Sequence, residues 1–180
     1  MPQVHRVFIS YHHANDQSYR NIFQYRFGNR FGAVIPGAVG LNDIDPNLPE
    51  ETIRKKIRDE YLRDTSVTVV LIGDETWKRK HVDWEISSSI RNTVLNPRSG
   101  LLGLLLPSRR DHGTGRYDPG SVPPRLYDND QCGYAVMADW TEDPDELQGL
   151  VHRAWLNKKS VDPDNSYPLF RKNKSAASWT

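Results

Sequence analysis

Residues 65–73 read Thr65-Ser66-Val67-Thr68-Val69-Val70-Leu71-Ile72-Gly73, and residues 81–86 read His81-Val82-Asp83-Trp84-Glu85-Ile86. The first stretch is apolar and β-branched on both alternating faces, so it is predicted to be a strand covered on both sides. The second begins a helix over 82–91, with Val82, Ile86 and Ile90 forming its packing stripe. Glu85 falls at the edge of that stripe, just past the end of the strand. Two explanations compete for an acid in this position. It is a first-turn residue that complements the helix dipole, or it is a group held at the rim where open α/β sheets bind ligands.

The flanking sequence repeats the same alternation. Val7-Phe8-Ile9 within residues 4–11 is a short apolar strand. Residues 16–31 carry Tyr19, Ile22, Phe23 and Phe27 at helical spacing. A Gly- and Pro-rich stretch follows, with a short second strand expected near Ala38-Val39-Gly40-Leu41. Residues 42–49, NDIDPNLP, have turn chemistry. Pro49-Glu50-Glu51 opens a helix that turns Ile53, Ile57, Tyr61 and Leu62 inward. Further strands are expected at 101–106 and 134–140, and a helix at 144–155 with Leu147, Leu150, Val151 and Ala154 on one face. Residues 107–130 read as one long surface loop, expected to be poorly ordered or to contact a partner. The polar tail from 157 is expected to be loose at its end. The whole of residues 1–180 is predicted to be a single α/β domain, a mostly parallel flavodoxin-like sheet with helices on both faces.

Composition narrows the function classes. A formal net charge of +1 over 180 residues gives no electrostatic case for a nucleic-acid partner. No apolar run approaches the roughly 18 residues that span a bilayer. The opening residues are too polar after Tyr11 for a signal peptide. Cys132 is alone, so no intrachain disulfide forms. A cytoplasmic chain is expected. His12-His13 suggests a metal pair, but neighbours on an extended segment point apart and no further ligands accompany them. Gly113-Thr114-Gly115 lacks the Lys-Ser/Thr ending of a P-loop. Lys78-Arg79-Lys80 and Arg109-Arg110 read as solvated basic loops.

Phe8-Ile9-Ser10-Tyr11 resembles the FISY-type first strand of Toll/interleukin-1 receptor (TIR) domains. The loop at 41–49 stands where those domains carry their BB loop. The run from TSVTVVLIG through Thr76-Trp77 to HVDWEI resembles the TIR-like branch typified by the ThsB protein of the bacterial Thoeris anti-phage system. The likeness covers residues 4–140, and its specific part is 65–90. It implies an enzyme that cleaves the nicotinamide–ribose bond of NAD⁺ and hydrolyses, cyclises or transfers the ADP-ribose. NAD⁺ would be the substrate, with no separate cofactor and no metal. The product would be a nucleotide signal that diffuses to an effector protein. A phage-derived trigger and self-association are the partners implied, with no membrane and no nucleic acid.

Carried over residue by residue, the family's catalytic acid falls on Glu85. Val82 stands at the cysteine position of the family pattern and His81 where its tryptophan is usual. The expected substrate-binding set is Phe8, Ser10, Tyr11, His12, Asp43, His81 and Trp84. Phe8 and Tyr11 would face a base, Ser10 and His12 a ribose or phosphate, and Asp43 a polar group across the cleft. Phe8 reads equally well as plain core, and Asp43 as a turn former. One carboxylate suffices for this chemistry, because nicotinamide is already a cationic leaving group and the acid needs only to stabilise the oxocarbenium-like ribose. The alternative is a non-catalytic TIR-like assembly module, with a phospho-receiver a more distant third.

Overall fold

The computed structural model describes residues 3–37 and 41–180. Five strands form one sheet: β1 (Arg6–Ser10), β2 (Ala33–Pro36), β3 (Val67–Ile72), β4 (Gly100–Leu105) and β5 (Ala135–Asp139). Their order is β2-β1-β3-β4-β5, and every pairing is parallel. Five helices connect and cover them: α1 (Gln17–Phe27), α2 (Glu50–Glu60), α3 (Lys80–Ser89), α4 (Pro124–Gln131) and α5 (Pro144–Ser160). This is the flavodoxin-like α/β arrangement expected of a TIR-like chain. β1 and β3 lie inside the sheet, as their apolar runs require. The chain steps outward from β1 to β2 and then returns to β3, so the topological switch point falls between β1 and β3.

Side-chain alternation along the strands assigns the helices to faces. Val7, Ile9, Val67, Val69, Leu71, Leu102 and Leu104 pack with Phe23 and Phe27 of α1 and with Leu147 and Val151 of α5. Val70, Ile72, Leu101 and Leu105 pack with Val82 and Ile86 of α3 and with Leu126 of α4. Phe8 packs with Ile53 and Ile57 of α2 and with Trp84 of α3. Thus α1 and α5 cover one face, and α2, α3 and α4 the other.

Three expectations need correction. The second strand is Ala33–Pro36, earlier than expected; of the residues assigned to it, Ala38, Val39 and Gly40 lie outside the described residues and Leu41 sits in a 3-10 turn. β2 pairs only with β1 and is half-buried, so it can end in Pro36, as edge strands tolerate. The segment 107–130 is not one open loop. It contains a 3-10 turn at Pro119–Ser121 and most of α4. Arg109, 5% exposed, ties it down through the carbonyls of Gly73 (3.2 Å) and Ser121 (3.0 Å) and through the Asp111 carboxylate.

The C-terminal tail is docked rather than loose. Leu169 and Phe170 are buried. The Trp84 indole N–H donates to the Phe170 carbonyl (2.6 Å), and the Phe170 amide donates to Asp83 Oδ2 (2.9 Å). The Trp179 indole donates to the Val122 carbonyl (2.7 Å). With the sheet on one side and α2, α4 and the tail on the others, α3 is buried from His81 through Ser89. Several of its polar residues are therefore answered by protein groups, while the buried Ser88 hydroxyl has no partner among the described residues. Arg125 Nε donates to Asp83 Oδ1 (3.0 Å), and Arg54 Nε donates to Ser87 Oγ (2.6 Å). Thr68 and Ser89 hydroxyls lie 2.6 Å apart, linking the helix to β3. Among the described residues, no helix is long and apolar enough to cross a membrane.

Removing one partner of a buried pair leaves an uncompensated charge, which costs about 3–5 kcal/mol. Arg125→Met is therefore expected to destabilise the protein by that order in urea unfolding, because Asp83 and Arg125 are 2% and 0% exposed. A loss below about 1 kcal/mol would show that Asp83 is neutralised without Arg125.

Candidate active site

Ser10 is the last residue of β1 and points, like Phe8, toward the α2/α3 face. There its hydroxyl donates to Glu85 Oε2. Glu85 lies in the second turn of α3, not the first, and is 0% exposed. The first-turn acid is Asp83. The helix-dipole explanation of Glu85 therefore weakens, since that effect falls off within the first turn. The carboxylate instead stands inside the protein at the carboxyl end of β1, beside the switch point.

Gly37, immediately after β2, closes over this acid. A Cβ at Gly37 would stand 3.0 Å from the Ile9 carbonyl oxygen, 3.1 Å from Glu85 Oε1 and 3.2 Å from His13 Nε2. Backbone and side chains approach so closely here that any side chain would require its neighbours to give by a few tenths of an ångström. His13 in turn is the middle of an aromatic row. Its ring centroid is 4.6 Å from that of Tyr11 and 4.6 Å from that of His81. His81 Nε2 lies 3.0 Å from the Tyr11 carbonyl, which can only accept, so the proton is on Nε2. Burial pushes His81 down to about 4. The Tyr11 hydroxyl donates to Gln17 Oε1 (2.8 Å).

The other expected residues lie differently. His12 turns away from its neighbour, and its Nδ1 accepts from the Asn15 amide (3.1 Å). Phe8 is wholly interior among Ile53 and Ile57, so its ring packs the core and is not presented at the rim. Trp84 is also fully buried, held by Phe170 and capped by the Lys80 ammonium 4.6 Å from its ring. Asp43 is exposed in the 3-10 turn Leu41–Asp43. Ser10, Tyr11, His81 and Glu85 are thus brought together, and Gly37 and His13 join them unforeseen. A second buried acid, Asp16, receives the Thr76 hydroxyl (3.4 Å) near Gly73 and is pushed up to about 6, chiefly by burial. Among the described residues, no group of three or more His, Cys, Asp or Glu side chains is placed to hold a metal ion.

The lowered pKa of His81 sets a pH dependence. As pH falls below about 6.5, the unfolded chain takes up the proton first, while the folded chain holds His81 neutral down to about 4. This residue's contribution is intact above about 6.5 and lost progressively as pH falls toward about 4. His81→Gln is expected to flatten that part of the stability curve, measured by urea midpoints between those pH values. An unchanged slope would mean that other groups carry the acid sensitivity.

No curated protein matches the chain. Residues 8–111 match the family described as Thoeris protein ThsB, TIR-like domain. The matched region runs from β1 through β4 and includes Ser10, Tyr11, His13, Gly37, His81 and Glu85. With the parallel β2-β1-β3-β4-β5 sheet, this match over more than half of the chain establishes that the protein belongs to the ThsB TIR-like family.

Proposed function

We propose that this chain is a TIR-type NAD⁺ nucleosidase, which cleaves the nicotinamide–ribose bond and passes ADP-ribose on to water, to an internal hydroxyl or to an acceptor. The observation that carries the reading is Glu85: a carboxylate with no exposure to water, at the carboxyl end of β1, its Oε2 held by the Ser10 hydroxyl. A buried, oriented carboxylate is well suited to stabilise positive charge developing on a ribose, because a low-dielectric site strengthens the interaction and no reorganisation is needed. Nicotinamide leaves as a neutral base from a cationic nitrogen, so departure needs no general acid. The neutral imidazoles beside Glu85 add no positive charge to compete with the ribosyl cation.

In this reading the product is a nucleotide signal for an effector protein in anti-phage defence. Self-association or a phage-derived trigger would switch the site on by admitting substrate past Gly37. The activity would lie in the cytoplasm, where NAD⁺ is available.

The test is nicotinamide release from NAD⁺ by a preparation active when unmutated. Glu85→Gln keeps the shape and removes the charge. It should lose on the order of 3 kcal/mol of transition-state stabilisation, about a hundredfold in rate. Turnover at the unmutated rate would leave the chain as a TIR-like assembly module. Gly37→Ala supplies an independent check. Its methyl group would press on the Ile9 carbonyl and Glu85 at 3.0 and 3.1 Å. A shift of a few tenths of an ångström in the acid is expected to lower turnover about tenfold, with far-UV circular dichroism unchanged. Full activity in that variant would show that the acid needs no such placement.

A further inference from the structure

Resting on the nucleosidase reading, we infer that His13 is the base that takes the proton from the hydroxyl nucleophile, water or a ribose hydroxyl, that captures the ribosyl cation beside Glu85. His13 Nε2 is buried and has no hydrogen-bond partner among the described residues. Such a nitrogen is costly and calls for a reason. It stands 3.2 Å from the point where a Gly37 Cβ would lie, and Glu85 Oε1 stands 3.1 Å from the same point. Imidazole nitrogen and carboxylate oxygen therefore both flank the Gly37 backbone. The ring is fixed between Tyr11 and His81, so its nitrogen is aimed rather than free to swing. Neither neighbouring imidazole substitutes for it. His81 Nε2 is committed to the Tyr11 carbonyl, and His12 Nδ1 to the Asn15 amide.

Chemistry separates the two roles. Glu85 stabilises the cation only while it stays charged, so it is the wrong group to accept a proton at that moment. The step balances as follows. The C1′–N bond breaks and its electron pair leaves with nicotinamide. An oxygen lone pair of the nucleophile forms the C1′–O bond. The O–H proton passes to Nε2, and the imidazolium returns it to solvent after product leaves. Burial and the Arg79 guanidinium hold His13 below its ordinary pKa, so the ring is neutral and able to accept. The groups facing it are Tyr11 and His12 beyond β1, Arg79 before α3, and His81 and Glu85 on α3.

The test compares two reactions of the full chain: net product formation from NAD⁺, and exchange of isotope-labelled nicotinamide into NAD⁺. Exchange runs through the same cation but uses nicotinamide nitrogen as the nucleophile, which carries no proton to remove. His13→Gln keeps the side-chain length and cannot titrate. It should lower net product formation about a hundredfold, leave exchange within twofold, and abolish the fall in product formation at acid pH. Unchanged product formation would overturn the assignment. So would an equal loss of both reactions, which would make His13 a packing residue. His13→Asn and thermal unfolding of both variants separate a folding defect from a chemical one: equal losses in well-folded variants still count against the base. Glu85→Gln, which should lose both reactions, tests the underlying reading separately. An unmutated chain that neither releases nor exchanges nicotinamide overturns that reading and this assignment with it.

Discussion

A carboxylate with no water around it must have its charge answered inside the protein, and Asp83 is such a group. Its partners are the Arg125 guanidinium from α4 and the Phe170 amide from the tail. Burial pushes its carboxyl up, and these two donors oppose that push. The arrangement binds three remote parts of the chain around one helix. It also permits the composition of α3, in which Asp83 and Ser87 would otherwise be solvent-facing residues. A buried pair of this kind adds little net stability over an apolar packing. What it fixes here is the axial position and rotation of α3, and with them the position of Glu85 two residues on.

That fixed rotation explains the site. Val82 and Ile86 seat the helix on β3 and β4, Trp84 seats it against α2 and the tail, and Glu85 is left toward β1. The sheet contributes by alternation: because Phe8 and Ser10 share a face, the residue at the strand end necessarily meets α3. The small hydroxyls of Thr68 and Ser89 let helix and strand approach closely. A larger side chain at either position would lift α3 and separate Ser10 from Glu85.

The sheet was legible in the sequence because its inner strands are unbroken apolar runs, a pattern few other structures produce. β2 was misplaced because an edge strand bracketed by Gly32, Pro36 and Gly37 has the composition of a turn. α4 was missed because it is only eight residues long and begins with proline inside a Pro- and Gly-rich stretch, so its apolar face shows in too few turns to stand out. Glu85 could be singled out as a residue, but not its depth. Its concealment depends on the end of β1 and on Gly37, both distant in the chain, and the helix that carries it is held by contacts such as Asp83 to Phe170, which span 87 positions. His13 and Gly37 left no local signal for the same reason. Adjacent histidines suggest a metal pair and a glycine after a proline suggests a turn, until chain-distant segments put both against one carboxylate.

The docking of the tail also has a consequence in time. The contacts of Asp83 and Trp84 with Phe170 cannot form until residue 170 has left the ribosome, and contacts at such separation form slowly because loop closure precedes any gain. Until then α3 has one side uncovered and Asp83 has lost one of its two donors. The sheet around β1 and β3 is complete in sequence long before that point. α3 is consequently completed late in synthesis, and an incomplete chain carries its acid on an unfinished helix.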